Sequence, residues 1–192
     1  MIETLVVATG NPGKVVEMET YLKSLQITLV LKPKHIEVEE TGTTFMENAQ
    51  LKASQVAKAM GQWAIADDSG LQVDALGGAP GIYSARYAAT PAACIERLLK
   101  ELAESRDRSA QFRCAIAIAD PEGAIALDAE GICRGEILDQ PRGEGGFGYD
   151  PVFYVPAEGM TFSEMSPALK DEVSHRGRAF QALMPALKTL LA

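Results

Sequence analysis

The chain is short of basic residues: 18 Lys and Arg stand against 26 Asp and Glu, a formal charge of −8 over 192 residues. That balance argues against a general nucleic-acid or anionic-membrane surface. It does not forbid a small anionic ligand, because a local group of cations can reverse the sign within a cleft. Histidine is scarcer still, with only His35 and His175, which argues against a histidine-based zinc centre. Cys94, Cys114 and Cys133 are widely spaced, odd in number and free of any Cys-x-x-Cys pairing. They read as reduced, buried thiols of a cytosolic protein, not as a disulfide framework. No apolar run approaches the length of a membrane span. Met1-Ile2-Glu3-Thr4 lacks the basic segment and long apolar run of a signal peptide. The expectation is a cytoplasmic protein with no membrane or nucleic-acid partner.

What is present is ordinary globular composition, 47% hydrophobic and 23% charged, enough for one domain over residues 1–192 with a proper core. Leu5-Val6-Val7-Ala8 reads as a strand. Asn11 follows as a helix cap and Pro12 as a first helical residue, with Val15, Met18, Leu22 and Leu25 at helical spacing. Thr28–Leu31 reads as a second strand. Thr44 and Glu47 have capping-box spacing at the head of a helix that Gly61 ends. Ala64–Ala66 predicts a strand that stops at Asp67-Asp68, with Ser69-Gly70 as a turn. A further helix starts near Thr90-Pro91. Phe112–Ala119, Ala124–Glu130 and Ile132–Leu138 are strand-like, the first two joined by a hairpin turn at Asp120-Pro121-Glu122-Gly123. Val152–Val155 suggests one more strand. The last helix is expected from about Ser174 to Leu191, with Pro185 kinking or breaking it. Strands and helices mix throughout, so the class is α/β with a mixed sheet.

Four stretches carry candidate chemistry. Thr9-Gly10-Asn11-Pro12-Gly13-Lys14 places a helix N-terminus, which favours phosphate, beside a lysine. A capped helix start with a surface lysine accounts for it equally, and the Walker A spacing is absent. Glu39-Glu40 and Asp67-Asp68 offer hard oxygen ligands suited to Mg²⁺. Neighbouring side chains on a strand point to opposite faces, so one residue of each pair would enter a given site; a solvated acidic rim is the competing account. Gly143 to Pro151 combines backbone freedom with Phe147, Tyr149 and Asp150, a slot on which a base could stack or else a structural turn with its aromatics packed inward. Lys170, His175, Arg176 and Arg178 gather donors suited to anion or carbonyl recognition, or a basic face balancing nearby acids. Together the four supply what a nucleoside triphosphate needs.

The stretches "ATGNPGKVVEM", "EETGTTFMENAQLKA", "AIADDSGLQVDALGGAPGIYSARYA", "GEGGFGYDPVFYVP" and "SHRGRA" resemble, in order and across nearly the whole chain, the inosine triphosphate pyrophosphatase family, also described as XTP/dITP pyrophosphatases. One departure is Leu169, where the family often has an acidic residue before the lysine. The resemblance implies hydrolysis of ITP, dITP and XTP to the monophosphate and pyrophosphate, cleansing the nucleotide pool. It also implies an elongated mixed sheet flanked by helices, two lobes with a nucleotide cleft between them, and a homodimer. By motif match, Thr9, Gly10, Asn11, Pro12, Gly13 and Lys14 would hold the phosphates. Glu40 and Asp68 would bind Mg²⁺, with Asp68 also the catalytic base. Ser69, Phe147, Gly148, Tyr149, Asp150, Lys170, His175 and Arg176 would contact the nucleotide.

Overall fold

A computed structural model describes residues 2–191. Its strands are β1 (Thr4–Val7), β2 (Thr28–Leu31), β3 (Ala64–Val73), β4 (Ser109–Ala119), β5 (Ile125–Ile137), β6 (Phe153–Val155) and β7 (Met160–Thr161). The helices are α1 (Pro12–Leu22), α2 (Phe45–Met60), α3 (Pro91–Glu101), α4 (Pro167–Val173) and α5 (His175–Leu191). The strands form one sheet in the order β2-β1-β3-β4-β5-β6-β7. β1 runs parallel to β2 and β3, whereas β6 is antiparallel to β5 and β7. The fold is therefore α/β with a mixed sheet, as the sequence predicts.

Local chemistry explains most boundaries. Asn11 Oδ1 accepts from the Gly13 and Lys14 amides at the head of α1. Thr44 and Glu47 form the reciprocal capping box of α2, and Gly61 ends that helix in the left-handed region at φ 60°. Thr90 Oγ1 accepts from the Ala93 amide to open α3.

The chain divides into two compact units. One comprises the chain through Asp68, Cys114–Gly131 and the segment from Arg176 on; the other comprises Ser69–Arg113 and Ile132–His175. Each has its own core. In the first, Leu5, Met18, Leu22, Ile65, Ile116, Phe180 and Leu183 pack together, and Tyr21 stacks on Phe180 with ring centroids 4.6 Å apart. In the second, Leu71, Val73, Leu98, Phe112, Phe153 and Phe162 do so. Cys94, Cys114 and Cys133 are all buried, in keeping with their expected burial. Among the described residues no helix is long and apolar enough to cross a membrane.

Three expectations need correction. β3 does not stop at Asp67-Asp68 but continues to Val73. Gly70 keeps ordinary strand backbone, and Leu71 and Val73 beyond it are fully buried, so core burial carries the strand through the polar stretch. The two strands expected on either side of Gly131 are one, β5, in which Gly131 has no positive φ. The last helix, α5, opens at His175 directly after Ser174, as expected. Ser174 also closes α4, a helix absent from the expectations, which Ser166 caps by accepting from the Leu169 amide. Pro185 does not break α5, which runs on to Leu191. Proline removes one helical donor, but Pro185 lies on the exposed face while Phe180, Leu183 and Leu187 anchor the opposite face in the core.

Candidate active site

The continuation of β3 through the acidic pair decides what each carboxylate does. Side chains of consecutive strand residues point to opposite faces, and Asp67 and Asp68 accordingly meet different partners. Asp67, with no solvent exposure, faces Lys14 Nζ at 3.1 Å and the Arg176 guanidinium, whose Nη2 and Nε donate to Oδ2 at 2.8 and 3.3 Å. Arg176, 1% exposed, also pairs with Glu17 of α1. Burial by itself would raise the Asp67 pKa, but Lys14 and Arg176 outweigh it and hold the carboxyl well below the usual range. Asp67 thus anchors Lys14 and Arg176 as a carboxylate.

Asp68 is in a different electrostatic position. Lys52 Nζ donates to its Oδ1 at 2.9 Å and Asn48 Nδ2 to its Oδ2 at 3.3 Å. Lys52 also donates to Glu40 Oε1 at 2.8 Å. Here burial wins: it raises the Asp68 pKa by more than Lys52 and Lys14 lower it. For Lys52 burial would lower the pKa, yet Asp68, Asp67 and Glu40 together raise it, so the ammonium stays charged. A buried carboxylate with a raised pKa is a better proton acceptor than an ordinary aspartate, the usual device by which a base is brought towards working pH.

Helix α2 supplies this arrangement. Asn48 and Lys52 are four residues apart and therefore share a helix face, and both reach Asp68. Glu40 comes from the loop before the helix. Neither Asn48 nor Lys52 is among the residues the motifs single out for a role, although both lie inside the quoted stretch "EETGTTFMENAQLKA". Their signal is the i, i+4 polar pair on a face otherwise buried through Phe45, Ala49, Val56 and Ala57.

Glu40 and Asp68 fit a divalent cation by the chemistry of their donors. Two hard carboxylates from separate elements converge on one cation position, that of the Lys52 ammonium. Among the described residues no group of three or more His, Cys, Asp and Glu could hold a metal, so the remaining ligands of such an ion would be water and phosphate oxygens, the mode Mg²⁺ favours.

Around Thr9–Lys14 the helix head is self-capped. The Asn11 amide donates to Thr9 Oγ1 at 3.2 Å, and Asn11 Oδ1 takes the next two amides.

In the second unit, Asp150 accepts from Lys170 Nζ at 2.7 Å and from the Phe147 amide at 2.8 Å. The Lys170 ammonium lies 4.8 Å from the Phe147 ring centroid. Gly146 has φ 73°, and a Cβ there would collide with the Asp150 carboxylate, so glycine is required where the loop wraps that side chain. Gly148 is likewise left-handed at φ 60°. Tyr149 is buried, and its hydroxyl donates to the Ser84 carbonyl at 3.0 Å; it packs into the core and leaves Phe147 as the more accessible ring. His175 is buried and stacks on Phe112 with centroids 4.6 Å apart. Ser69 lies within β3. The candidate residues thus fall into two sets, one per unit: Thr9 to Lys14, Glu40, Asp67, Asp68 and Arg176 with Glu17, Asn48 and Lys52 in the first, and Ser69, Phe147 to Asp150, Lys170 and His175 in the second.

A mixed sheet with a buried carboxylate pair, one member ion-paired as an anchor and the other held between an ammonium and an amide, defines an α/β protein with an acid–base cluster. The chain matches the model of the Ham1 family over residues 5–186 and belongs to that family. It is 62% identical over 192 residues to a dITP/XTP pyrophosphatase of Nostoc sp., covering 100% of this chain and 98% of that one. Among solved structures, a HAM1 protein from Coxiella burnetii is 43% identical with a TM-score of 0.90, covering 98% of this chain and 100% of that one. The Staphylococcus aureus Ham1 protein is 41% identical with a TM-score of 0.87, covering 97% and 99%.

Proposed function

We propose that this protein hydrolyses deaminated purine nucleoside triphosphates (dITP, XTP and ITP) to the nucleoside monophosphate and pyrophosphate, and so removes them from the pool used for DNA and RNA synthesis. The observation that carries the reading is Asp68, a buried carboxylate of raised pKa held by Lys52 and Asn48 beside Glu40. The dITP/XTP pyrophosphatases among its relatives supply the substrate class.

In this reading water attacks the α-phosphorus. One O–P bond forms, the bond from the α-phosphorus to the bridging oxygen breaks, and pyrophosphate leaves with the electron pair. Asp68 takes the proton from the attacking water. Lys52, ionised and within reach of Asp68, offsets charge that grows on phosphate oxygens, a contribution that commonly outweighs proton transfer. Lys14, fixed by Asp67, adds a second positive charge at the head of α1. Glu40 and Asp68 would hold Mg²⁺, which supplies charge neutralisation and a lowered water pKa when bound.

By the resemblance, Ser69, Phe147, Gly148, Tyr149, Asp150, Lys170, His175 and Arg176 would contact the nucleotide, with donors from His175, Arg176 or nearby backbone pairing with the base. Hypoxanthine and xanthine present an O6 acceptor where adenine presents an amino donor. Donors aimed at O6 are left unpaired by adenine, a mismatch worth roughly 10⁴-fold in discrimination. The two units act as one functional domain in this reading, the protein forms a homodimer, and its compartment is the cytoplasm. Product analysis with dITP, XTP, ITP, GTP and ATP, with and without Mg²⁺, tests it. Pyrophosphate and monophosphate from the deaminated substrates, in the presence of Mg²⁺ alone, is the expected result. Release of orthophosphate, or equal turnover of ATP, would overturn it.

A further inference from the structure

Asn48 has no solvent exposure, yet it is a polar side chain in the first turn of α2, on a face that otherwise buries apolar residues. Its two ends do different things. The Gly42 amide donates to Asn48 Oδ1 at 2.8 Å. A backbone amide can only donate, which fixes Oδ1 towards Gly42 and turns the Nδ2 donor towards Asp68 Oδ2. Gly42 sits two residues after Glu40. A Cβ at Gly42 would lie 2.7 Å from Asn48 Oδ1 and 2.7 Å from Glu47 Cβ, so the loop can approach the helix this closely only as glycine. Asn48 therefore ties two things at once: the loop that carries Glu40, through Gly42, and one oxygen of Asp68. Lys52, one turn on, holds the other oxygen.

We infer that Asn48 is a positioning residue for the reaction. It fixes the rotamer of Asp68 with its amide donor and the distance of the Glu40 loop with its carbonyl, so that the two carboxylates keep one relative geometry before substrate arrives. Only asparagine serves both ends. Aspartate would keep the Gly42 contact but set a second carboxylate against Asp68, and leucine would fill the space with neither contact. The inference rests on the functional reading above for its activity arm, whereas the tether itself is independent of it.

Four variants separate this role from a merely structural one. Asn48→Ala is expected to lower kcat for XTP by about 10–100-fold, the usual loss when a partner orienting such a ligand is removed, with KM little changed. It is also expected to expose the Gly42 amide to rapid hydrogen exchange. Asn48→Asp is expected to keep Gly42 protected and still lose kcat, because only the donor to Asp68 has gone. Thr44→Ala weakens the start of the same helix without touching Asp68, and is expected to lower the melting temperature with kcat unchanged. In an Asp68→Asn background, Asn48→Ala is expected to cost little further activity. Near-normal kcat in folded Asn48→Ala and Asn48→Asp would overturn the inference, as would an undiminished extra loss in the Asp68→Asn background. Unaltered Gly42 protection in Asn48→Ala would overturn the tether. A wild-type protein that released no pyrophosphate would instead overturn the functional reading, and Gly42 exchange would still decide the tether.

Discussion

The division of labour between the adjacent carboxylates predicts that Asp67→Asn and Asp68→Asn fail in different ways. Asp67 is fully buried and holds Arg176, itself 1% exposed, at 2.8 Å, with Lys14 at 3.1 Å. Replacing it with asparagine keeps the shape and removes the charge. Removing one partner of a buried ion pair costs about 3–5 kcal/mol, because the other charge is left without compensation. Arg176 retains Glu17, and the Lys14 side chain, 13% exposed, can turn towards water. Both soften the loss, so the lower end, about 3 kcal/mol, is expected. For a chain of this size that corresponds to a fall in Tm of roughly 6–12 °C. Urea unfolding followed by circular dichroism gives the free energy, and a thermal scan gives Tm. Asp68 is the contrasting case. Burial already disfavours its ionised form, so Asp68→Asn removes an unfavourable charge and should leave stability within about 1 kcal/mol of wild type, or raise it, as is common at active sites. Its kcat should fall by orders of magnitude. A loss below about 1 kcal/mol for Asp67→Asn, against the range for buried pairs, would refute the anchor assignment. So would a larger destabilisation by Asp68→Asn than by Asp67→Asn.

Lys52→Met keeps the length of the side chain and removes the ammonium between Glu40 and Asp68; a fall in kcat of about 10²–10³ is expected, as for loss of one charge-stabilising donor, and steady-state kinetics with XTP reads it. The Cys114 thiol is pushed up to about 12 by burial, so iodoacetamide at pH 8 should leave it unmodified in the native protein and alkylate it in urea; rapid native modification, seen by peptide mass, would contradict its burial. Glu164 is held at about 2 by hydrogen bonds from Arg142 and from the Thr161 amide. Its folded pKa lies below the unfolded value of about 4.3, so its contribution to stability is present above that value and is lost as pH falls towards 2. A carbon-13 titration of the Glu164 carboxyl should show a midpoint near 2, and a midpoint near 4 would contradict the pairing.

The sequence made some of this legible and concealed the rest for identifiable reasons. The caps at Asn11, Thr44 and Thr90 and the stop at Gly61 are local, each settled by a few neighbouring residues, and all occur where local chemistry predicts. The fate of Asp67-Asp68-Ser69-Gly70 is not local. Those letters suit a turn, and a strand results because Leu71 and Val73 beyond them reach a core assembled from distant segments. Pro185 is tolerated for the same kind of reason, since packing on the opposite face outweighs one lost helical donor. Which carboxylate meets Arg176 and which meets Lys52 and Asn48 depends on partners far along the chain. Arg176 is 109 residues from Asp67, and Lys52 is 16 from Asp68. Asn48 and Lys52 look like ordinary polar positions of an amphipathic helix until the strand they reach is known.

The claim that water attacks the α-phosphorus is tested most directly by hydrolysing XTP in oxygen-18 water and locating the label by mass spectrometry. The account predicts one heavy oxygen in the nucleoside monophosphate and none in the pyrophosphate. Label in the pyrophosphate, or in released orthophosphate, would contradict it.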